Sequence, residues 1–126
     1  MNYGWWVMDK KRNELLDLSF DYAVLIVRLY SKLTKTQHEY VMSKQLLRCG
    51  TSIGANVREA QNAESRADFI HKLAIAQKEC DENLFWLELL KKTNYLDDIE
   101  FDYLYPKANS ILKLLKSSIL TTKQNS

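Results

Sequence analysis

The sequence predicts an all-α protein, an antiparallel bundle of four helices that run up, down, up and down. Three observations lead to this prediction. Four long segments repeat apolar residues at spacings of three and four, which is the period of one helix face. The 126 residues include one proline and three glycines, few for a sheet-rich or loop-rich chain. The link between the second and third segments is only a few residues long, so these helices must be antiparallel neighbours.

One domain is predicted, because 126 residues suit a single buried core. We expect residues 13–122 to form the bundle, residues 1–12 an N-terminal extension and residues 123–126 a frayed tail. The extension contains Trp5 and Trp6, which can stack on bases or pack on a protein surface, and the sequence does not decide their role. It lacks a basic leader and a small-residue cleavage site, and no apolar run in the sequence reaches the length of a membrane span. We therefore expect no membrane attachment.

The first helix is predicted over residues 13–35, with a broad apolar face made of two adjacent rows. One row consists of Leu16, Phe20, Ala23, Val27 and Tyr30. The adjacent row consists of Ser19, Tyr22, Ile26, Leu29 and Leu33. Val24 and Leu25 lie near the polar side of this helix. They are either isolated exposed apolar residues, which are common, or contacts to another subunit.

The second helix is predicted over residues 39–62. Its core stripe consists of Met42, Leu46, Cys49, Ile53, Val57 and Ala60. Gly50 and Gly54 lie one turn apart beside this stripe, although glycine inside a helix costs about 1 kcal/mol relative to alanine. Their spacing predicts the close approach of another helix, either within the bundle or between protomers, with a local kink as the alternative.

The third helix is predicted to begin after an N-cap at Ser65 and to end near Thr93. Its core row consists of Phe69, Leu73, Ala76, Cys80, Leu84 and Leu87. Because Cys49 and Cys80 both lie on core stripes, we expect buried thiols that behave as small apolar groups, with a structural disulfide as the less favoured alternative.

The fourth helix is predicted to begin at Asp97 or Asp98 and to fray from Thr121. Its inner row consists of Phe101, Leu104, Ala108, Ile111, Leu115 and Ile119. Pro106 falls inside this pattern, where it removes one backbone donor. It either kinks the helix between residues 102 and 105 or begins a separate helix.

Patterns typical of catalysis or cofactor binding do not occur in the sequence. A di-metal bundle site needs a Glu-x-x-His pair on each of two helices, and neither His38 nor His71 follows a glutamate by three residues. We therefore expect a protein without cofactor or metal that is not an enzyme. A remote alternative is a metal-dependent enzyme using Glu79 and Glu82, which share one face of the third helix.

A structural role for these two carboxylates is the preferred interpretation. Arg48 lies on a polar row of the second helix, and that helix should neighbour the third. We expect Arg48 to bridge Glu79 or Glu82 and thereby to fix the register of the two helices.

Charge is unevenly distributed along the chain. The formal net charge is only +2, but four of the 18 basic residues lie after Pro106, where no acidic residue occurs. A basic terminal helix either contacts phosphates or is a solvated face. The cations available for nucleic-acid binding are Lys44, Arg58, Arg66, Lys72, Lys107, Lys113, Lys116 and Lys123. Phe85 and Trp86 are expected in the core and at a subunit contact rather than as platforms for bases.

The motifs of the two central helices resemble those of a known family. Residues 43–48 read SKQLLR and residues 51–56 read TSIGAN, followed by Glu59 and Ala60. Together with SRADF over residues 65–69 and the segment that continues to Leu90, this pattern resembles the 23S rRNA intervening-sequence proteins over most of the chain, residues 19–120.

This resemblance implies a bacterial, cytoplasmic four-helix bundle that forms a ring-shaped homo-oligomer. A pentamer is implied by the related accessory variability protein of diversity-generating retroelements, which works with a reverse transcriptase and nucleic acid. No catalytic residues are established in the family. The sequence thus leads to the hypothesis of a non-enzymatic oligomeric module that binds RNA or DNA, a protein such as a reverse transcriptase, or both. The alternative is a scaffold that binds protein alone, and the sequence identifies neither the partner nor the genomic setting.

Overall fold

The computed structural model describes residues 9–124, which form four helices and contain no strand. These are α1 (Asp9–Lys35), α2 (Met42–Ala60), α3 (Arg66–Lys92) and α4 (Asp98–Gln124). Each helix packs on the helices before and after it in the chain, and α4 closes the bundle against α1 with the smallest of these contacts. This arrangement confirms the predicted up-down-up-down bundle, in which α1 and α3 are diagonally opposed.

The ends of the outer helices extend beyond their predicted limits. Helix α1 begins at Asp9, so residues 9–12 of the predicted extension are helical, while Trp5 and Trp6 lie outside the described residues. Arg12 is buried, and its Nε donates to Oε1 of Gln61 at 2.8 Å. At the other end, α4 continues to Gln124 with Thr122 buried, so the fraying expected from Thr121 is wrong for residues 121–124.

Only one of the two apolar rows predicted for α1 is fully buried. Ser19, Tyr22, Ile26, Leu29 and Leu33 are all buried. The other row, called here the outer row of α1, consists of Leu16, Phe20, Ala23, Val27 and Tyr30. Phe20 is 54% exposed and Val27 is 48% exposed, so the prediction that this row belongs to the core is wrong for them. Because the apolar face of α1 is wider than one bundle can cover, the packing of α2 decides which row is buried.

The two glycines of α2 allow that packing. A Cβ atom added to Gly50 would lie 2.8 Å from Cγ2 of Ile26, and one added to Gly54 would lie 3.2 Å from the backbone oxygen of Ser19. The close approach predicted from these glycines is therefore confirmed, and it occurs within the bundle, between α1 and α2. Helix α2 is continuous through both positions.

The helix starts are stabilised by side chains, as the sequence predicts for α3. Ser65 accepts a hydrogen bond from the backbone N–H of Asp68 at 3.0 Å. At the start of α2, the carboxylate of Glu39 accepts from the backbone N–H groups of Val41, Met42 and Ser43 at 3.2, 3.1 and 2.7 Å. Helix α2 therefore begins at Met42 and not at the predicted residue 39.

Helix α4 runs through Pro106 as one element, so the alternative of a separate helix beginning there is wrong. The core rows predicted for α2, α3 and α4 are buried except for Met42, Phe101 and Ile119, which are half-buried. No helix among residues 9–124 is both long and apolar enough to span a membrane.

Candidate functional surfaces

The second half of α4 presents a basic face to solvent. Lys116 and Lys123 are seven residues apart and therefore only about 20° apart around the helix, and Lys113 is about 60° from Lys116. All three side chains are exposed, and no acidic residue occurs in α4 after Asp102. Lys113 and Lys116 form no ion pair within residues 9–124. These three lysines are called here the basic face of α4.

Lys107 is directed differently from the basic face of α4. It is about 120° from Lys113 around the helix. Its Nζ lies 4.6 Å from the centre of the Tyr103 ring, beside the groove between α1 and α4. Such a cation–π contact holds the ammonium group against its own helix.

The remaining candidate cations lie on α2 and α3, and three of them are engaged or partly covered. Lys72 pairs with Glu59 at 3.0 Å, which raises the pKa of Lys72 through the hydrogen bond to that carboxylate. The guanidinium of Arg58 lies 5.8 Å from the ring centre of Phe20. Arg66 is half-buried, and Lys44 is exposed. The eight cations predicted from sequence are therefore distributed over three helices.

The predicted cluster of Arg48, Glu79 and Glu82 is present in the structure. Nη1 of Arg48 donates to Oε2 of Glu79 at 2.9 Å, and Nη2 donates to Oε2 of Glu82 at 2.5 Å. Trp86 Nε1 also donates to Oε2 of Glu82, at 3.0 Å. The hydrogen bond from Trp86, followed by that from Arg48, lowers the pKa of Glu82. Because the Arg48 side chain is 49% exposed, the cluster is a surface ion-pair network that ties α2 to α3.

The geometry around Glu79 and Glu82 does not support the metal-enzyme alternative. Glu79 and Glu82 are both engaged by Arg48. Among residues 9–124, no group of three histidine, cysteine, aspartate or glutamate side chains is placed to hold a metal ion.

A buried polar network crosses the core, and sequence reasoning missed its central residue. The hydroxyl of Tyr22 donates to Oδ1 of Asn83, whose Nδ2 lies 3.7 Å from Sγ of Cys49. Cys80 Sγ lies 3.2 Å from the backbone oxygen of Ala108. Both cysteines are unpaired and buried, as predicted, and burial raises the pKa of each thiol to about 12. They are therefore protonated and unreactive at neutral pH. The available signal was a polar residue, Asn83, placed on the apolar stripe of α3.

The residues predicted as oligomer or close-packing contacts separate into three groups. Gly50 and Gly54 contact α1 of their own bundle. Val24 and Leu25 line a groove of about 630 Å³ between α1 and α4, together with Leu18 and Tyr103. Trp86 packs partly against the core. Phe20 and Val27 on α1 and Phe85 on α3, which the sequence placed on apolar faces or at a core and subunit contact, are about half exposed.

Comparison with known proteins matches the chain to a sequence family and to solved structures. The sequence model described as 23S rRNA-intervening sequence protein matches residues 11–117. The fold is similar to the 1.70 Å crystal structure of a protein with unknown function from the S23 ribosomal protein family of Bacteroides thetaiotaomicron VPI-5482. The two chains are 52% identical, the match covers 87% of this chain and 98% of that chain, and the TM-score is 0.86. No curated protein matches the chain.

Proposed function

The chain belongs to the 23S rRNA-intervening sequence protein family, and on that premise we propose that it is a non-enzymatic, self-associating module that binds RNA or DNA through the basic face of α4. The proposed assembly is a closed ring of identical copies, five by the resemblance noted above, and the proposed location is the bacterial cytoplasm. Each copy contributes one basic face to the ring.

The exposure of Lys113 and Lys116, without an ion pair among the described residues, is the observation that supports this proposal most. A lysine already paired with a carboxylate must give up that contact to bind phosphate. An unpaired lysine binds phosphate with release of the counterions condensed on the nucleic acid. The basic face has few cations, so one copy should bind weakly. A ring brings several such faces to one ligand, and their effective concentration raises the overall affinity.

Filter binding to a structured RNA and to duplex DNA, each at two salt concentrations, tests the proposal. The variant Lys113→Gln/Lys116→Gln should weaken binding and reduce the slope of log K against log[salt] by about two for each engaged subunit. The control Lys32→Gln/Lys72→Gln removes the same charge from lysines that pair with Glu100 and Glu59, and it should retain more affinity. Absence of binding by the wild-type protein at low salt would refute the nucleic-acid part.

A second candidate function is a scaffold that binds only protein. The exposed side chains of Phe20 and Val27 on one face of α1 favour this candidate, because exposed apolar rows often mark contacts between proteins. The two functions differ in what accompanies the purified protein. A ratio of absorbance at 260 and 280 nm typical of protein alone, together with a co-purified polypeptide, would support the scaffold.

The assignment as a non-enzyme is also tested by the metal content. The relative of known structure has unknown function. In the proposal Glu79 and Glu82 act as partners of Arg48 and not as metal ligands. Stoichiometric bound metal in elemental analysis, lost in a Glu79→Gln/Glu82→Gln variant, would contradict this.

A further inference from the structure

The groove between α1 and α4, called here the α1–α4 groove, reflects uneven packing of α1. Gly50 and Gly54 allow α1 to lie close to α2, whereas α1 and α4 make the smallest contact between neighbouring helices of the bundle. The space between α1 and α4 has a volume of about 630 Å³. Small-molecule sites in proteins have volumes of about 300–1,000 Å³, so this groove is large enough for a ligand.

Apolar side chains form most of the α1–α4 groove. Leu18, Val24 and Leu25 contribute from α1, and Tyr103 and Ile111 contribute from α4. Val24 and Leu25 are half-buried and Leu18 is 39% exposed, so the lining is open to solvent along one side. Because transfer of an apolar group from water to such a surface is favourable, the groove suits the hydrocarbon or aromatic part of a ligand.

Two cations lie at the rim of the groove, one on each helix. The ion pair of Lys32 and Glu100 marks the relative heights of the antiparallel helices α1 and α4. Seven residues from this pair along each helix, Lys107 is level with Leu25, and Arg28 lies three residues from that level, about 4.5 Å along the axis. Arg28 and Lys107 therefore flank the same part of the groove.

Both cations are available to an anion. Arg28 and Lys107 are exposed and form no ion pair within residues 9–124. The Nζ atom of Lys107 lies 4.6 Å from the centre of the Tyr103 ring, which keeps it beside the groove. The acidic residue of the lining is Asp21, seven residues before Arg28 and about 10.5 Å from it along α1. The groove is therefore positive where the two cations meet and negative toward its other end.

We propose that the α1–α4 groove binds a small anionic amphiphile. Its aromatic or aliphatic body lies along Leu18, Leu25 and Ile111, and its carboxylate, sulfonate or phosphate group lies between Arg28 and Lys107. The ligand is a single dissolved molecule, since the site is a recess between two helices. This inference goes beyond the proposed function, because Lys107 is directed away from the basic face of α4 and binding in the groove requires no nucleic acid.

Two dyes that differ by one sulfonate group test the charged part of the site. Anilinonaphthalene sulfonate is the anion, phenylnaphthylamine is its neutral counterpart, and both fluoresce when water is excluded. The variant Arg28→Gln/Lys107→Gln should weaken binding of the anion by about tenfold and leave binding of the neutral dye unchanged. The control Lys113→Gln/Lys116→Gln removes the same charge outside the groove and should leave both affinities unchanged. Failure of the wild type to bind the anion, or an equal effect of the two variants, would overturn the inference.

A second pair of variants tests the apolar part of the site. Leu18→Ser, inside the groove, should weaken binding of both dyes by about fivefold. The control Val27→Ser changes a 48% exposed residue of the outer row of α1, which does not line the groove, and should leave binding unchanged. Both positions are partly exposed, so both variants should fold. Weaker binding in Val27→Ser than in Leu18→Ser would place the dyes on the outer row and overturn the inference.

Competition identifies the class of ligand. Decanoate, below the concentration at which it forms micelles, should displace the anionic dye more effectively than decanol, because only decanoate carries a charge for Arg28 and Lys107. A single-stranded oligonucleotide should not displace the dye, and the protein should not co-sediment with vesicles of anionic phospholipid. Displacement by the oligonucleotide, co-sedimentation that Leu18→Ser abolishes, or failure of decanoate to displace the dye would overturn the inference. None of these results bears on phosphate binding by Lys113 and Lys116, so the two proposals fail separately.

Discussion

Tyr22 of α1 donates a hydrogen bond across the diagonal of the bundle to Asn83 of α3. Both side chains are buried, and burial raises the pKa of Tyr22 well above its usual value, so the phenol remains a donor at neutral pH. Asn83 also approaches Cys49 and Gly50 of α2. Three helices therefore meet at one amide, and the network links them inside the core.

Removal of the Tyr22 hydroxyl should destabilise the bundle. The variant Tyr22→Phe leaves Oδ1 of Asn83 buried without this donor, which should cost about 1–3 kcal/mol. The measurement is the free energy of unfolding in urea. Tyr30→Phe, at a half-buried position of the outer row, serves as the control and should change stability by less than about 0.5 kcal/mol. Equal stability of wild type and Tyr22→Phe would show that the hydrogen bond contributes nothing.

Gly50→Ala should also destabilise the protein, although alanine is the better helix former. The substitution gains about 1 kcal/mol in helix propensity. Its Cβ, however, would lie 2.8 Å from Cγ2 of Ile26 and 2.9 Å from Nδ2 of Asn83, both on fully buried side chains. Overpacking of this kind costs about 1–3 kcal/mol, so we expect a net loss of stability. Ser52→Ala, on the outer side of the same helix, should be nearly neutral, and a more stable Gly50→Ala would contradict the close approach.

Ionisation of Glu39 should make the stability of the protein depend on pH in the acidic range. Burial alone would raise its pKa, but the backbone hydrogen bonds from Ser43, Met42 and Val41 outweigh it and lower the pKa below 4.5. A carboxylate whose pKa is lower in the folded state stabilises the protein above its unfolded-state pKa, and this stabilisation is lost as pH falls through the folded-state pKa.

We therefore expect the Tm difference between wild type and Glu39→Gln to be largest near neutral pH and to shrink below about pH 4.5. Thermal melts from acidic to neutral pH measure this difference. A difference that stays constant over the whole range would show that the charge of Glu39 does not contribute.

Arg48→Gln should lower the free energy of unfolding only slightly, and added salt should reduce this loss. Arg48 is half-exposed, so breaking its contacts with Glu79 and Glu82 should cost about 0.5–1 kcal/mol at low salt. The difference should diminish at 1 M NaCl, where the Debye length is about 3 Å. Urea denaturation at the two salt concentrations measures it. A loss above about 3 kcal/mol would show that the cluster is buried and structurally essential.

The elements that the sequence predicted well are those with one unambiguous apolar stripe. Helix α3 and its N-cap at Ser65 follow directly from residue spacing, and so does the bridge from Arg48 to Glu79 and Glu82. The sequence did not show which apolar row of α1 is buried, because both rows have the same helical period. The contacts of Gly50 and Gly54 with α1 show that the row containing Ser19 and Ile26 is the buried one.

Other features depend on tertiary surroundings that local sequence does not encode. Asn83 is buried because Tyr22, distant in sequence, supplies its partner. Thr122 is buried although it lies in a polar terminal segment, and its hydroxyl is satisfied by donating to the backbone oxygen of Ser118 within α4. The exposed outer row could not be recognised as a surface until the packing of the bundle was known.

The central claim is that this bundle assembles with copies of itself and presents its basic faces together. Multi-angle light scattering of the purified wild-type protein at micromolar concentration tests it most directly. The account predicts a single species of several times the 14.8 kDa chain mass, five times if the ring is a pentamer. A species of one chain mass at every concentration tested would contradict it.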